Sequence, residues 1–250
     1  MIIEGSSVAE CWLKCLQQMV KAKVNEISPA VIKINISEAL PSYHFDLVNE
    51  LDVFLKKVGQ PSIETTANTI FPKNLSRGCA SVYERFDKIW KYVKRDPKNH
   101  NGHYFRRFMA YGEKSGGESI NQLKHIVETY NGVEGIRKPV HRRSALIAMT
   151  FDPLLDHTAQ PQRGFPCLQQ VCFVPHPDRS MSVNAIYAMQ YLADRAFGNY
   201  IGLIELGQFM AKQMKLELKE LQCIASVLAL GTKMNKSTAK CILEKYGDYV

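Results

Sequence analysis

The chain has 250 residues, of which 46% are hydrophobic and 22% charged, and its formal net charge at pH 7 is +8. This length and composition predict one folded domain spanning residues 1–250 and exclude a largely disordered chain. No apolar run approaches the ~20 residues that a membrane-spanning helix needs, and residues 1–5 have neither a basic region nor an apolar signal core. We therefore expect a cytoplasmic protein without a membrane partner.

Cysteine usage and charge distribution narrow the class of protein further. The seven cysteines form no C-x-x-C pair, and no histidines follow them at zinc spacing, so we expect reduced thiols and no metal site. The basic residues are scattered in small clusters, without a long basic run or a nucleic-acid-binding motif. A small ligand that carries a phosphate explains the charge as well as a polymer does, and a nucleic-acid partner is the weaker alternative.

Hydrophobic periodicity predicts the elements of the first half of the chain. Residues 32–36 alternate like a half-buried strand. Residues 98–117 are polar and rich in turn-forming residues, which indicates a surface loop. Apolar residues at helical spacing predict helices over residues 9–24, 43–58, 81–94 and 118–130.

The second half of the chain contains several strands that are neighbours in sequence. The predicted strands are residues 144–151, 167–174, 181–187 and 220–230, and the predicted helices are 196–214 and 236–246. The short turn between the second and third of these strands indicates an antiparallel hairpin. Helices interspersed with antiparallel strands predict an α+β fold. No G-x-G-x-x-G or Walker sequence is present, which argues against a Rossmann or P-loop enzyme.

Cys167 is the residue that suggests a chemistry. It opens a predicted strand directly after Pro166, and the pair Arg142-Arg143 precedes it by 24 residues. A thiolate is a strong nucleophile, and cationic neighbours lower the pKa of a thiol. Arginine also binds phosphate through its planar guanidinium group. Taken alone, a strand cysteine is more often part of the core, and an arginine pair more often a solvated turn.

Family resemblance favours the catalytic interpretation. The order of several motifs resembles the central block of the thymidylate synthase and deoxycytidylate hydroxymethylase superfamily: Tyr111-Gly112, Asn121-Gln122-Leu123, Arg142-Arg143, Pro166-Cys167 and Asn199. The resemblance covers roughly residues 45–230 and is strongest from 111 to 215. It implies an α+β fold with a mixed, largely antiparallel sheet flanked by helices, in a homodimer that forms through a sheet face.

The resemblance also implies a reaction and a set of site residues. The reaction is one-carbon transfer, a methylation or hydroxymethylation, to C5 of a pyrimidine nucleotide, with 5,10-methylenetetrahydrofolate as the one-carbon donor. Cys167 would be the nucleophile, and Glu50 would act as acid and base unless it is simply an exposed helix glutamate. The substrate-binding residues would be Arg142 and Arg143, which reach the phosphate in the neighbouring subunit, together with Asn199, Tyr111 and Arg195.

Several positions depart from the family pattern. Leu168 stands where the family has a histidine after the nucleophile, and Ala188-Met189 stands where it has an Arg-Ser pair that completes the phosphate site. Arg195 or Arg163 could replace that arginine, although Arg195 also fits a local ion pair with Asp194. These departures leave a second hypothesis open: a non-catalytic or repurposed protein with the same fold that binds a nucleotide or a partner.

Overall fold

The structure is a computed structural model that describes residues 1–36, 40–77, 81–112, 118–160 and 164–250. The strands in these ranges are β1 (Ile2–Gly5), β2 (Glu26–Ile27), β3 (Ala30–Asn35), β4 (Ile147–Met149), β5 (Leu168–Pro175), β6 (Ser180–Tyr191) and β7 (Glu217–Ala229). They form one sheet in the order β1-β3-β7-β6-β5-β4, and β2 pairs with the end of β7. Two of the pairings, β1 with β3 and β6 with β7, are parallel, and the others are antiparallel.

Helices flank this sheet. Within the described ranges they are α1 (Val8–Ala22), α2 (His44–Lys57), α3 (Ile63–Ile70), α4 (Val82–Val93), α5 (Tyr104–Met109), α6 (Gln122–Asn131), α7 (Pro153–Asp156), α8 (Phe197–Gln213) and α9 (Lys236–Tyr246). A π-helical turn, Leu192–Ala196, leads from β6 directly into α8. No helix among the described residues has the length and apolar character needed to cross a membrane.

Close packing between α3 and α8 fixes where α8 begins. A Cβ atom at Gly198 would lie 2.6 Å from the carbonyl oxygen of Ile63, and one at Gly202 would lie 2.6 Å from that of Ala67. Only glycine permits this approach, since any side chain would collide with the backbone of α3. The start of α8 is therefore held rigidly beside the carboxyl end of β6.

The two faces of the sheet differ because side chains alternate along each strand. One cross-strand row is fully buried under the helices: Ile32, Cys223, Ala185, Val171 and Ala148. The residues that alternate with it are only partly buried and form two rows on the other side. We call this side the open face; its rows are Val31, Ile224, Ile186, Gln170 and Met149, and Lys33, Gln222, Asn184, Cys172 and Ile147.

The structure confirms the predicted α+β class, the mixed and mostly antiparallel sheet and the hairpin formed by β5 and β6. The expectation that residues 98–117 form a surface loop was wrong at α5, where Phe105 and Phe108 are fully buried. Arg107 is also buried there, because its guanidinium donates to the Asp156 carboxylate at 3.0 Å. This partner lies 49 residues away in sequence, so the local pattern of polar residues gives no sign of burial.

Candidate functional site

Cys167 lies directly before β5, at the end of the sheet from which α8 begins. Its side chain is partly buried and packs against the edge of the hydrophobic core. Its carbonyl oxygen accepts the N–H of Ala188 on β6 at 2.9 Å, which fixes its backbone to the neighbouring strand. A partly accessible thiol is thus presented from a rigid part of the sheet.

Helix α5 supports the backbone around Cys167. The phenol oxygen of Tyr104 accepts the N–H of Cys167 at 3.1 Å and that of Leu168 at 3.3 Å. The ring of Tyr104 lies 4.9 Å from the ring of Phe165, measured between centroids. The guanidinium carbon of Arg107 lies 5.4 Å from the same Phe165 ring. These contacts hold the segment that leads into Cys167 against α5.

Arg195 lies in the π-helical turn before α8, and its positive charge acts on the Cys167 thiol. It is half-buried; burial lowers the pKa of its guanidinium, and the charge of the adjacent Asp194 acts in the opposite direction. The carboxylate of Asp194 accepts hydrogen bonds from the backbone N–H and the hydroxyl of Thr232, both at 3.0 Å. Asp194 and Arg195 form no salt bridge among the described residues, but the Asp194 carboxylate still acts electrostatically on the guanidinium.

Burial and charge have opposite effects on the Cys167 thiol. Burial raises its pKa above the ordinary value, and the Arg195 charge acts to lower it. The pKa of Cys11 is raised to about 12, mainly by burial, and Cys15 and Cys223 are fully buried as well. Of these four thiols, Cys167 is the one that is partly exposed and on which the Arg195 charge acts.

Asn199 and Tyr187 belong to the two elements that meet near Cys167. Asn199 is buried in the first turn of α8, four residues after Arg195 of the π-helical turn. Tyr187 pairs with Leu168 across β5 and β6 and is fully buried. Its hydroxyl has no hydrogen-bond partner among the described residues, and such an atom usually has a partner in native proteins.

Arg142 and Arg143 lie at the opposite end of the sheet from Cys167 of the same chain. Both are exposed and precede β4, and the Leu146 carbonyl accepts the N–H of Phe173. Phe173 is six residues beyond Cys167 along β5, a distance of roughly 20 Å. The two arginines therefore do not contribute to the surroundings of this Cys167.

Two further predicted site residues are engaged elsewhere. The Tyr111 hydroxyl donates to the carbonyl oxygen of Phe151 at 2.9 Å. The carboxylate of Glu50, on α2, accepts hydrogen bonds from Lys245 at 2.6 Å and from the Tyr246 hydroxyl at 3.0 Å. In this conformation Glu50 links α2 to α9.

Sequence reasoning missed Tyr104 and Tyr187. Tyr104 stands in the motif Gly102-His103-Tyr104-Phe105, within the surface loop predicted over residues 98–117. The aromatic residues of this motif are the sequence feature that could have indicated a buried turn. For Tyr187, the only sequence feature is its place directly before Ala188-Met189, where the family has the Arg-Ser pair. Two other residues considered from sequence, Cys79 and Arg163, lie outside the described residues.

One surface concavity of the described residues lies away from Cys167. It has a volume of about 620 Å³ and is lined by residues of the β5–β6 turn and the start of β7, among them His176, Asp178 and Lys219. It is wide open to solvent and contains a hydrogen bond of 3.0 Å between His176 Nε2 and Ser182 Oγ, but no cysteine, so we do not assign it to the thiol chemistry. Among the described residues no group of three or more histidine, cysteine and carboxylate side chains could hold a metal ion.

The sequence matches no protein-family model and no curated protein. The assignment of these residues to a chemistry therefore depends on the geometry described above and on the resemblance of the motifs.

Proposed function

We propose that this chain is a divergent thymidylate synthase-like protein that transfers a one-carbon unit to C5 of a pyrimidine nucleotide through Cys167. A partly exposed thiol, on which the charge of the half-buried Arg195 guanidinium acts, carries this proposal. A cation in that position stabilises a thiolate and attracts an anionic substrate.

In the proposed reaction, the Cys167 thiolate adds to C6 of the pyrimidine ring. The new S–C6 bond forms as the C5–C6 double bond opens, and the electron pair is delocalised from C5 onto the C4 substituent. C5 can then form a bond to the one-carbon unit. Loss of the C5 proton would then expel the donor's amine nitrogen and leave an exocyclic methylene at C5. Addition of hydride from the reduced folate, which is thereby oxidised, or of water to this carbon would restore the ring and expel the Cys167 thiolate. Asn199 would hydrogen-bond the pyrimidine edge, and Glu50 would transfer protons once its contact with Lys245 has opened.

When bound, 5,10-methylenetetrahydrofolate would supply the one-carbon unit. The partly exposed ring of Phe165, next to Cys167 and supported by Tyr104, provides an aromatic surface suited to a planar pterin. The choice between methylation and hydroxymethylation depends on whether hydride or water completes the reaction.

We also propose that the protein is a homodimer that forms through the open face of the sheet. Val31, Ile224 and Ile186 lie side by side on that face and do not pack against the described core. In the next row, the Oδ1 atom of Asn184 is buried but has no hydrogen-bond donor among the described residues. Amide side chains both donate and accept, so Asn184 and Gln222 suit a self-complementary, two-fold interface.

Such a dimer would give the arginine pair a role. Because Arg142 and Arg143 lie far from Cys167 of their own chain, they can bind the substrate phosphate only in the partner's site. Mixing Cys167→Ala subunits with Arg142→Ala/Arg143→Ala subunits should then restore activity, since each heterodimer contains one intact site. A monomer at micromolar concentration in light scattering would contradict the proposal.

Mass spectrometry tests the covalent step directly. The protein is incubated with the monophosphates of 5-fluorodeoxyuridine and 5-fluorodeoxycytidine, with and without methylenetetrahydrofolate, and then digested. We expect one of these nucleotides to add its mass to the peptide that contains Cys167, and we expect none on the Cys167→Ala protein. No adduct with either nucleotide would overturn the catalytic proposal.

One observation favours the non-catalytic alternative. The net effect of the surroundings is to raise the pKa of the Cys167 thiol, although a nucleophile benefits from a lowered pKa. A protein that only binds a nucleotide would require Arg195 but not a thiolate. Calorimetry with uridine and cytidine monophosphates and with their nucleosides distinguishes the catalytic from the non-catalytic hypothesis. Binding that requires the phosphate and persists in Cys167→Ala, together with the absence of any covalent adduct, would support a non-catalytic nucleotide-binding protein.

A further inference from the structure

The hydroxyl of Tyr104 makes an unusual pair of contacts at Cys167. Its oxygen accepts the backbone N–H groups of both Cys167 and Leu168, at 3.1 Å and 3.3 Å. A hydroxyl oxygen has two acceptor sites and one hydrogen to donate. Both acceptor sites are used by these N–H groups, so the hydroxyl hydrogen must point to a different group.

The surroundings of this hydroxyl contain few groups that could accept its hydrogen. The titratable side chains facing Cys167 are Tyr104 from α5, Tyr187 from β6 and Arg195 from the turn before α8. Arg195 has only donors, and no described residue accepts a hydrogen bond from Tyr104. Two acceptors remain: the hydroxyl oxygen of Tyr187, which has no hydrogen-bond partner among the described residues, and the sulfur of Cys167. Burial raises the pKa of the Tyr104 phenol, and the Cys167 side chain lies near enough for its charge to raise this pKa further. As a thiolate, Cys167 is the stronger acceptor of the two.

We propose that Tyr104 is a positioning residue for Cys167: its oxygen fixes the cysteine backbone, and its hydroxyl donates to the thiolate. This inference depends on the proposed function in one respect: Cys167 acts as a thiolate. Tyr111, which the family resemblance assigns to substrate binding, instead donates its hydroxyl to the Phe151 carbonyl. A hydrogen bond to a charged group is stronger than one between neutral groups, so the contact forms fully only when the thiol is ionised.

The pH dependence of thiol alkylation tests this role without any substrate. The full-length protein is treated with iodoacetamide between pH 6 and pH 10, and labelling of Cys167 is followed by peptide mapping. Since only the thiolate reacts, the midpoint of the rate profile reports the pKa of Cys167. Loss of the hydroxyl in Tyr104→Phe should move this midpoint upwards and slow labelling below it by about tenfold, the change expected for one hydrogen bond to a charge.

Two control variants separate positioning from stability. Tyr83→Phe removes a half-buried phenol hydroxyl that packs against α5 at Phe105, with 6.2 Å between ring centroids, and should leave the profile unchanged. Phe165→Leu loosens the same segment but keeps the Tyr104 hydroxyl, so it should lower the melting temperature without moving the midpoint. An unchanged midpoint in Tyr104→Phe, or an equal shift in Phe165→Leu, would overturn the proposal.

A nearly isosteric change tests the opposite direction and applies even if Tyr104→Phe does not fold. Replacing Tyr104 alone by 3-fluorotyrosine makes the hydroxyl a stronger donor and keeps the shape of the ring. We expect the midpoint to move downwards, and an unmoved or raised midpoint would contradict the proposed donation. These results are independent of the fluoronucleotide experiment. A protein that forms no adduct but shows both shifts would retain the Tyr104 assignment and lose the proposed reaction.

Discussion

The ring of Phe165 lies so close to the backbone of Gly102 that a Cβ atom at residue 102 would be 2.2 Å from its Cε1 atom. Gly102 also has a φ of +154°, which side chains disfavour. We therefore expect Gly102→Ala to displace Phe165 and the segment that leads to Cys167. The free energy of unfolding, measured in urea, should fall by about 3 kcal/mol, the sum of backbone strain and overpacking.

Gly135→Ala is the matched control for this substitution. Gly135 has a φ of +70°, and no atom lies within 4 Å of the position that its Cβ would occupy. It therefore reports backbone strain alone, and we expect a loss of about 1 kcal/mol. Equal losses in the two variants would show that the contact with Phe165 contributes nothing.

Local patterns predicted most of the elements because their cause is local. The periodic apolar residues of α1, α6 and α8 and the alternation along β5 identify each element without reference to the rest of the chain. In α5 the cause is distant. Arg107 is buried only because Asp156 approaches it, and no spacing within residues 98–117 encodes that partner.

The candidate site likewise contains residues that local sequence could identify and residues that only tertiary packing brings together. Cys167 was identifiable from its motif. Arg195 could be recognised as a basic residue near Asn199, but the position of Arg195 near Cys167 depends on the π-helical turn. Tyr104 was not identifiable because its contact with Cys167 joins residues 63 apart in the chain. Residue type and spacing can nominate a nucleophile, whereas the groups that surround it are set by tertiary packing.

Acid should destabilise the protein through His103. The imidazole is buried against Phe86 and Trp90, and burial lowers its pKa from 6.5 to about 4. Below pH 6.5 the unfolded chain therefore binds a proton that the folded protein does not. Stability contributed by neutral His103 is complete above pH 6.5 and is lost as the pH falls to 4, by up to about 3 kcal/mol.

Urea unfolding at pH 7, 5.5 and 4.5 measures this effect. In His103→Asn the fall in unfolding free energy between pH 7 and 4.5 should be smaller than in the wild type by about 2–3 kcal/mol. His125→Asn, on the exposed face of α6, should retain the wild-type pH dependence. If His103→Asn and the wild type lose stability in parallel, the buried imidazole is not responsible.

The role of Glu50 can be tested by comparing substitutions of Glu50 and of its partner Lys245. If it transfers protons, Glu50→Gln should slow release of tritium from C5 of the labelled pyrimidine monophosphate by at least about 100-fold. Lys245→Ala removes the 2.6 Å contact but leaves the carboxylate, so it should keep the exchange activity. Because this ion pair is exposed to solvent, we expect no measurable loss of stability. Equal exchange rates in the two variants would reduce Glu50 to a link between α2 and α9.

The last prediction concerns the open face, where Ile186 lies between Ile224 and Gln170. Glutamate at residue 186 would place charges from both subunits within the proposed interface, where their desolvation is unfavourable. We expect Ile186→Glu to be a folded monomer in light scattering at concentrations where the wild type is a dimer. Val53→Glu, on the exposed side of α2, introduces the same charge elsewhere and should remain dimeric. The monomer should also lose phosphate-dependent nucleotide binding, because Arg142 and Arg143 no longer reach a second site. A dimeric Ile186→Glu protein would place the interface elsewhere.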